Sequence, residues 1–261
     1  MGTLQGSWVW YELITADPEG AKAFYETVVG WSMTTGAGDD NNYGFITSPD
    51  GGMTGGVMPL TDAMASDGAR PGWLGYIGVD DADASAAAIT AAGGKVLLAP
   101  RDIAMAGRVA MVADCCGAPF YVMTPNPPPG GGESTAFASK PNPGHCGWNE
   151  LLAGDAEKSA AFYSSQFGWT LPDPMDMGPM GKYQFIAHDD VTMGAIMTKP
   201  ETLPSSAWCY YFWTESITAA IPRITAAGGH VVNGPHEVPG PLWVVQAVDP
   251  QGLMFALTGG K

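Results

Sequence analysis

The sequence predicts an α+β protein: four βαβββ modules forming two domains, each a curved mixed sheet around a cavity. Three observations carry that reading. The stretch Trp10, Glu12-Leu13-Ile14-Thr15-Ala16-Asp17-Pro18-Glu19, Phe24-Tyr25, Gly30-Trp31 returns as Trp148, Glu150-Leu151-Leu152-Ala153-Gly154-Asp155-Ala156-Glu157, Phe162-Tyr163, Gly168-Trp169, always 138 residues later. A second unit, from Trp73 to Gly93-Gly94, returns from Trp208 to Gly228-Gly229. Finally, 36 glycines and 22 prolines favour many short strands and turns over a helical bundle.

Each element has a local reason. Glu12 to Thr15 reads as a strand. Asp17 can accept from the first free helical N–H groups, and Pro18 suits the first helical position because it has no N–H to lose. Ala21, Phe24, Tyr25 and Val28 recur at helical spacing, and Gly30 supplies a left-handed stop. Tyr43–Ile46 and Gly55–Met58 read as the strands that close the first module. Trp73–Val79 opens the second, Asp80 or Asp81 caps an alanine-rich helix, and Val96–Leu98, Val109–Val112 and Phe120–Met123 follow as strands. Asp114-Cys115-Cys116-Gly117 turns between the last two.

The second half repeats the pattern through Tyr183–Ile186, Gly194–Met197, Trp208 onward, Val244–Val248, the turn Asp249-Pro250-Gln251-Gly252, and Met254–Leu257. Pro222 departs from it and should kink its helix or delay its start. The expected domains are residues 1–125 and 145–261. Residues 126–144, with Pro127-Pro128-Pro129-Gly130-Gly131-Gly132, read as a linker laid over the surface.

Composition narrows function. At 261 residues the chain suits two domains with a core each. A net charge of −15 with only 11 Lys and Arg argues against nucleic acid and against an anionic membrane surface. The first residues show neither the basic region nor the apolar run of a signal peptide, and no apolar run reaches transmembrane length. The four cysteines, Cys115, Cys116, Cys146 and Cys209, have no CxxC spacing. A cytoplasmic protein is expected, either a monomer or a homodimer.

The order and spacing of Ala16-Asp17-Pro18-Glu19, Phe24-Tyr25, Gly30-Trp31, Val79-Asp80-Asp81, Gly93-Gly94 and Asp249-Pro250-Gln251-Gly252 resemble the vicinal oxygen chelate superfamily. This is the group of glyoxalase I, the bleomycin- and fosfomycin-resistance proteins and the extradiol dioxygenases. Within it the chain resembles the two-domain glyoxalase-like branch that includes the mycobacterial 27 kDa antigen type. The resemblance implies the fold, a small-molecule ligand, and a set of positions where family members carry metal ligands. Carried over one at a time, those positions fall on Trp10 and Trp148, Leu74 and Cys209, Tyr121 and Ala256, and around Val57–Met58 and Ala195–Ile196. Trp, Leu, Tyr and Ala offer essentially no metal donor, so neither a metal nor any other cofactor is expected.

Glu12 and Glu150 are the candidate catalytic residues. Each lies two residues beyond a lost ligand position, so strand alternation puts it on the same face, where it could act as a general base for isomerisation. The alternative is a structural role, with each carboxylate held by backbone or a tyrosine. Trp10, Trp73, Trp148, Trp208, Tyr76 and Tyr210 are the candidate ligand-binding residues, joined by Trp213 and Tyr211 as possible lining for a flat organic molecule. Aromatics at strand spacing serve equally well as core. The histidines (His145, His188, His230, His236) show no ligand spacing and read mostly as surface residues. Cys115-Cys116 reads as a tolerated turn substitution, with redox activity as the alternative.

Three readings follow. The first is a metal-independent binder of a small apolar or aromatic molecule. The second is a lyase or isomerase using Glu12 or Glu150. The third is a metal-dependent glyoxalase or dioxygenase.

Overall fold

The computed structural model describes residues 5–36, 42–104, 106–126 and 134–261. Its first module is β1 (Trp8–Thr15), α1 (Pro18–Val28), β2 (Ser32–Met33), β3 (Gly44–Thr47) and β4 (Met53–Pro59). A short helix, α2 (Asp62–Ser66), leads to β5 (Gly72–Gly78), α3 (Ala82–Ala91), β6 (Lys95–Ile103), β7 (Gly107–Ala113) and β8 (Pro119–Pro125). The second half follows with β9 (Cys146–Ala153), α4 (Ala156–Phe167), β10 (Met175–Asp176), β11 (Lys182–His188) and β12 (Val191–Thr198). The last module is β13 (Ala207–Ser216), α5 (Ile217–Ala226), β14 (His230–Val238), β15 (Leu242–Val248) and β16 (Met254–Gly260).

The strands form two eight-stranded sheets, ordered β2-β3-β4-β1-β5-β8-β7-β6 and β10-β11-β12-β9-β13-β16-β15-β14. Within each module the opening strand pairs in parallel with the last, and the hairpins are antiparallel. The α+β, four-module architecture is therefore as expected.

The helix signals act as read. Asp17 accepts from the Gly20 N–H at 2.9 Å with Pro18 in the first turn, and Gly30 follows with φ +87°. Asp81 and Asp155 cap α3 and α4 in the same way. Pro222 does not delay α5, which starts after Ser216 and runs through the proline. The strand β6 is longer than the apolar triplet Val96–Leu98 and includes Arg101, and its counterpart β14 includes His236.

By compactness the chain divides into two units, one of residues 1–9, 75–134 and 149–208 and the other of 10–74, 135–148 and 209–261. Each draws one module from each half of the sequence. In the first unit Phe120, Tyr163, Phe167, Trp169 and Trp208 pack edge-to-face and stacked against one another. In the second, Phe24, Tyr25, Trp31, Trp73, Phe212 and Phe255 meet edge-to-face or tilted. Ring pairs at such spacings add to the area that they bury.

The segment between the halves corrects one expectation. Pro127 to Gly132 lies outside the described residues, but the part from 134 onward is fastened rather than laid over the surface. Ala136 is fully buried, its carbonyl accepts from the Cys146 N–H, and the Trp213 indole donates to the Ala138 carbonyl at 2.8 Å. Buried backbone needs such partners, and this stretch finds them. His145 is likewise no surface residue. It is fully buried, with Nδ1 against the Thr135 carbonyl and Nε2 3.0 Å from Asp50.

Candidate functional site

Glu12 and Glu150 occupy matching places in the two sheets. Glu12 is in register with Gly56 on β4, and Glu150 with Ala195 on β12. Both are buried, 3% and 5% exposed, on strands that are mostly apolar. Burying a carboxylate is costly unless it is hydrogen-bonded. For Glu150 one partner is Tyr183 on β11, whose phenol donates to Oε1 at 2.8 Å. Tyr183 also meets Phe185 edge-on at 5.7 Å.

The first repeat has the matching parts. Tyr43, the counterpart of Tyr183, accepts from the Trp10 indole at 2.9 Å and packs edge-on against Phe45 at 5.5 Å. Its ring fills the space where a side chain at position 56 would stand, which is why that position is a glycine. Trp10 lies edge-on to Phe45 at 6.4 Å, so Trp10, Tyr43 and Phe45 form a half-exposed aromatic group.

Tyr76 and Tyr121 of the first repeat lie in the other compact unit. Tyr76 on β5 is in register with Tyr121 on β8, and the two rings stack with centroids 4.3 Å apart and planes 10° from parallel. In the second repeat Tyr211 is in register with Ala256. Tyr211, Ala256 and Cys209 form a buried cluster, with Trp148 and Val244 packed against it. The Gln246 amide donates to the Tyr211 phenol at 2.7 Å.

This cluster joins Trp148, Cys209 and Ala256, three positions where the sequence resemblance implies metal ligands in family members. Together they offer one sulfur and no side-chain oxygen or imidazole nitrogen, a donor set that does not fit a divalent metal. Among the described residues no group of three or more His, Cys, Asp or Glu side chains is placed to hold a metal ion.

Strand alternation sorts the other predicted lining residues. Trp73 alternates with Leu74, and Trp208 and Tyr210 with Cys209 and Tyr211, so they point to the opposite face. There Trp73 donates to the Tyr25 phenol and Trp208 to the Tyr163 phenol, each at 3.0 Å, inside the helix-packed cores. Tyr210 meets Tyr11 edge-on at 5.1 Å. These three are core residues, and the structure does not bring them together with the glutamates. Trp213 is also occupied, by the Ala138 carbonyl. The residues that sequence reasoning passed over are Tyr43 and Tyr183. Their signal was present in the matching tetrapeptides Tyr43–Ile46 and Tyr183–Ile186, read only as strands.

Two depressions lie between helices. One, about 210 Å³, is lined by Ala84, Ser85, Ala88, Ile89, Gln166 and Phe167, and the other, about 320 Å³, by Gly20, Ala23, Phe24, Thr27, Ala226 and Ala227. Neither includes a predicted site residue. No described helix is long and apolar enough to cross a membrane.

Comparison with known proteins bears on the same residues. A sequence model of the Glyoxalase/Bleomycin resistance protein/Dioxygenase superfamily matches residues 8–121 and again 142–257. A Mycobacterium tuberculosis protein named "Putative glyoxylase CFP32" is 30% identical over 97% of this chain and 94% of its own length. The anthracycline biosynthesis protein DauV of a Streptomyces species is 28% identical over 97% of this chain and 92% of its own. Among solved structures, the Mn(II)-bound glyoxalase of Novosphingobium aromaticivorans superposes with a TM-score of 0.67 at 18% identity, covering 98% of this chain and 82% of that one. At that identity the likeness is one of fold.

Proposed function

The chain belongs to the Glyoxalase/Bleomycin resistance protein/Dioxygenase superfamily, and from that premise we propose that it binds a small apolar or aromatic organic molecule without a resident metal ion. The ligand lies against the sheet face that carries Trp10, Glu12 and Tyr43 in one repeat and Glu150 and Tyr183 in the other. The observation that supports this reading is the packed cluster of Trp148, Cys209, Tyr211 and Ala256, three of which are positions where the resemblance implies metal ligands. Half-exposed Trp10 and Tyr43 offer aromatic surface, and the buried glutamates give one polar anchor per repeat. The likeness to proteins named for anthracycline biosynthesis supports an organic ligand of that general kind.

The experiment is a thermal-shift and calorimetric screen of planar aromatic compounds, including an anthracycline, against the wild type, Trp10→Ala and Glu150→Gln. Binding weakened by Trp10→Ala and kept by Glu150→Gln is the expected result. Absence of binding across the panel overturns the proposal.

One observation favours a second reading. A buried carboxylate with a phenol on one oxygen is the arrangement of a general base beside an acid, suited to proton transfer next to a carbonyl. In that case Glu150→Gln abolishes turnover of the bound compound while leaving its affinity unchanged.

A further inference from the structure

The turn between β7 and β8 carries two adjacent thiols that the proposed ligand site does not use. Their sulfurs stand 3.8 Å apart, and both residues are partly exposed. Asp114 fixes the turn by accepting from the backbone N–H groups of Cys116 and Ala118 at 2.8 and 2.9 Å. Ser159 of α4 donates to the other oxygen of Asp114 at 3.1 Å. The Cys116 sulfur lies 3.7 Å from the Asp155 carbonyl and the Cys115 sulfur 3.8 Å from that of Lys158, so both face the first turn of α4.

The fold does not need sulfur here. At the equivalent turn the Gln251 amide makes the corresponding clasp to the start of α1. It accepts from Thr15 Oγ1 at 2.6 Å and from the Asp17 N–H at 3.2 Å, and donates to the Asp17 carbonyl at 3.1 Å. Here the thiols make only two long sulfur contacts, and Ser206 Oγ ties the turn to the segment before α4 by donating to the Cys116 carbonyl at 2.9 Å and accepting from the Gly154 N–H at 3.0 Å. A purely structural role is the poorer account of them.

Nor does the geometry favour a disulfide. Consecutive residues across a trans peptide have Cα atoms about 3.8 Å apart, inside the ~4.4 Å lower limit of ordinary disulfides. A single bridging atom has no such difficulty. Two zinc–sulfur bonds of ~2.3 Å meeting at the tetrahedral angle hold their sulfurs about 3.8 Å apart, the separation already present.

We propose that Cys115 and Cys116 form a two-thiolate site for a thiophilic d10 cation of the zinc group. The cation forms two metal–sulfur bonds as the two S–H protons leave to solvent; no electron is transferred. Its other positions stay open to water or a small thiol, so this is a site of exchange and not a closed structural centre. The ion competes with protons, and its affinity climbs with pH by up to about 100-fold per unit while both thiols are protonated.

The test is cadmium titration of the full chain, followed by its thiolate-to-cadmium charge-transfer absorption, in parallel with alkylation by iodoacetamide read by peptide mass. Expected are one cadmium per chain, binding that tightens with pH, loss of the band in Cys115→Ser and in Cys116→Ser, and cadmium protection of both cysteines from alkylation. The proposal is overturned by the absence of a band in the wild type at pH 8. An equal band in the double serine variant overturns it too, because it assigns the ion to Cys146 or Cys209. Alkylation in the wild type needs no folded variant, and an unchanged rate with cadmium present overturns the proposal as well.

Discussion

The phenol of Tyr183 donates to Oε1 of Glu150 across 2.8 Å, coupling β11 to β9 over the intervening β12. Removing the donor takes one hydrogen bond from a buried carboxylate. Tyr183→Phe is expected to lower unfolding free energy by about 1–3 kcal/mol, measured by urea denaturation. Glu150→Gln, which still accepts from the phenol, is expected to cost less. Equal stability of Tyr183→Phe and wild type would show that the bond contributes nothing.

The glycine opposite Glu12 gives a second expectation. A methyl at position 56 runs into the Tyr43 ring, whereas the matching position 195 already carries alanine. Gly56→Ala is expected to cost about 1–3 kcal/mol by overpacking and to displace Tyr43 from the Trp10 indole, visible as a change in tryptophan fluorescence. Ala195→Gly, which opens space instead of closing it, is expected to leave the fluorescence unchanged.

Much of this was legible in the residues. Asp17-Pro18 and Gly30 mark both ends of α1, and the 138-residue repeat fixes the module count, because both signals act within one element or between copies of it. The facing of aromatic residues was less legible. Trp73 and Tyr76 are three apart on one strand and must point opposite ways, yet composition alone groups them as one pocket. Tyr43 and Tyr183 act on glutamates or tryptophans some 33 residues away, a relationship set by strand order and invisible to local pattern. The burial of His145 depends on Asp50, 95 residues earlier.

The assignment of Trp73 and Trp208 to the helix-packed cores is separately testable. Each indole N–H donates to a buried tyrosine hydroxyl. Trp73→Phe and Trp208→Phe are each expected to lower stability by about 1–3 kcal/mol from the lost bond and the small cavity. Affinity for any compound found in the ligand screen should be unchanged in both. A tenfold loss of affinity in the folded variant would return these residues to the ligand site.

Asp50 sets an acid limb on the stability curve. Hydrogen bonds from Asn142, then from the Gly52 N–H, then from His145 lower its carboxyl from 3.8 to about 2. A group whose folded pKa is depressed stabilises the fold above its unfolded value and loses that contribution as pH falls through the folded one. Stability is therefore expected to drop between pH 3.8 and about 2, with Asp50→Asn flattening that part of the curve. Because the carboxylate is partly exposed, added salt should shrink the effect. Urea midpoints across the acid range, with and without salt, measure it.

The most direct test of the central claim is elemental analysis after dialysis against manganese, iron(II), nickel and zinc. It is made on the Cys115→Ser/Cys116→Ser variant so that ions held by those thiols do not count. The account expects less than a tenth of an equivalent of any metal per chain, with ligand binding intact in the same sample. One tightly held equivalent that disappears in Glu12→Gln or Glu150→Gln would contradict it, and would return the chain to the metal-dependent chemistry of its superfamily.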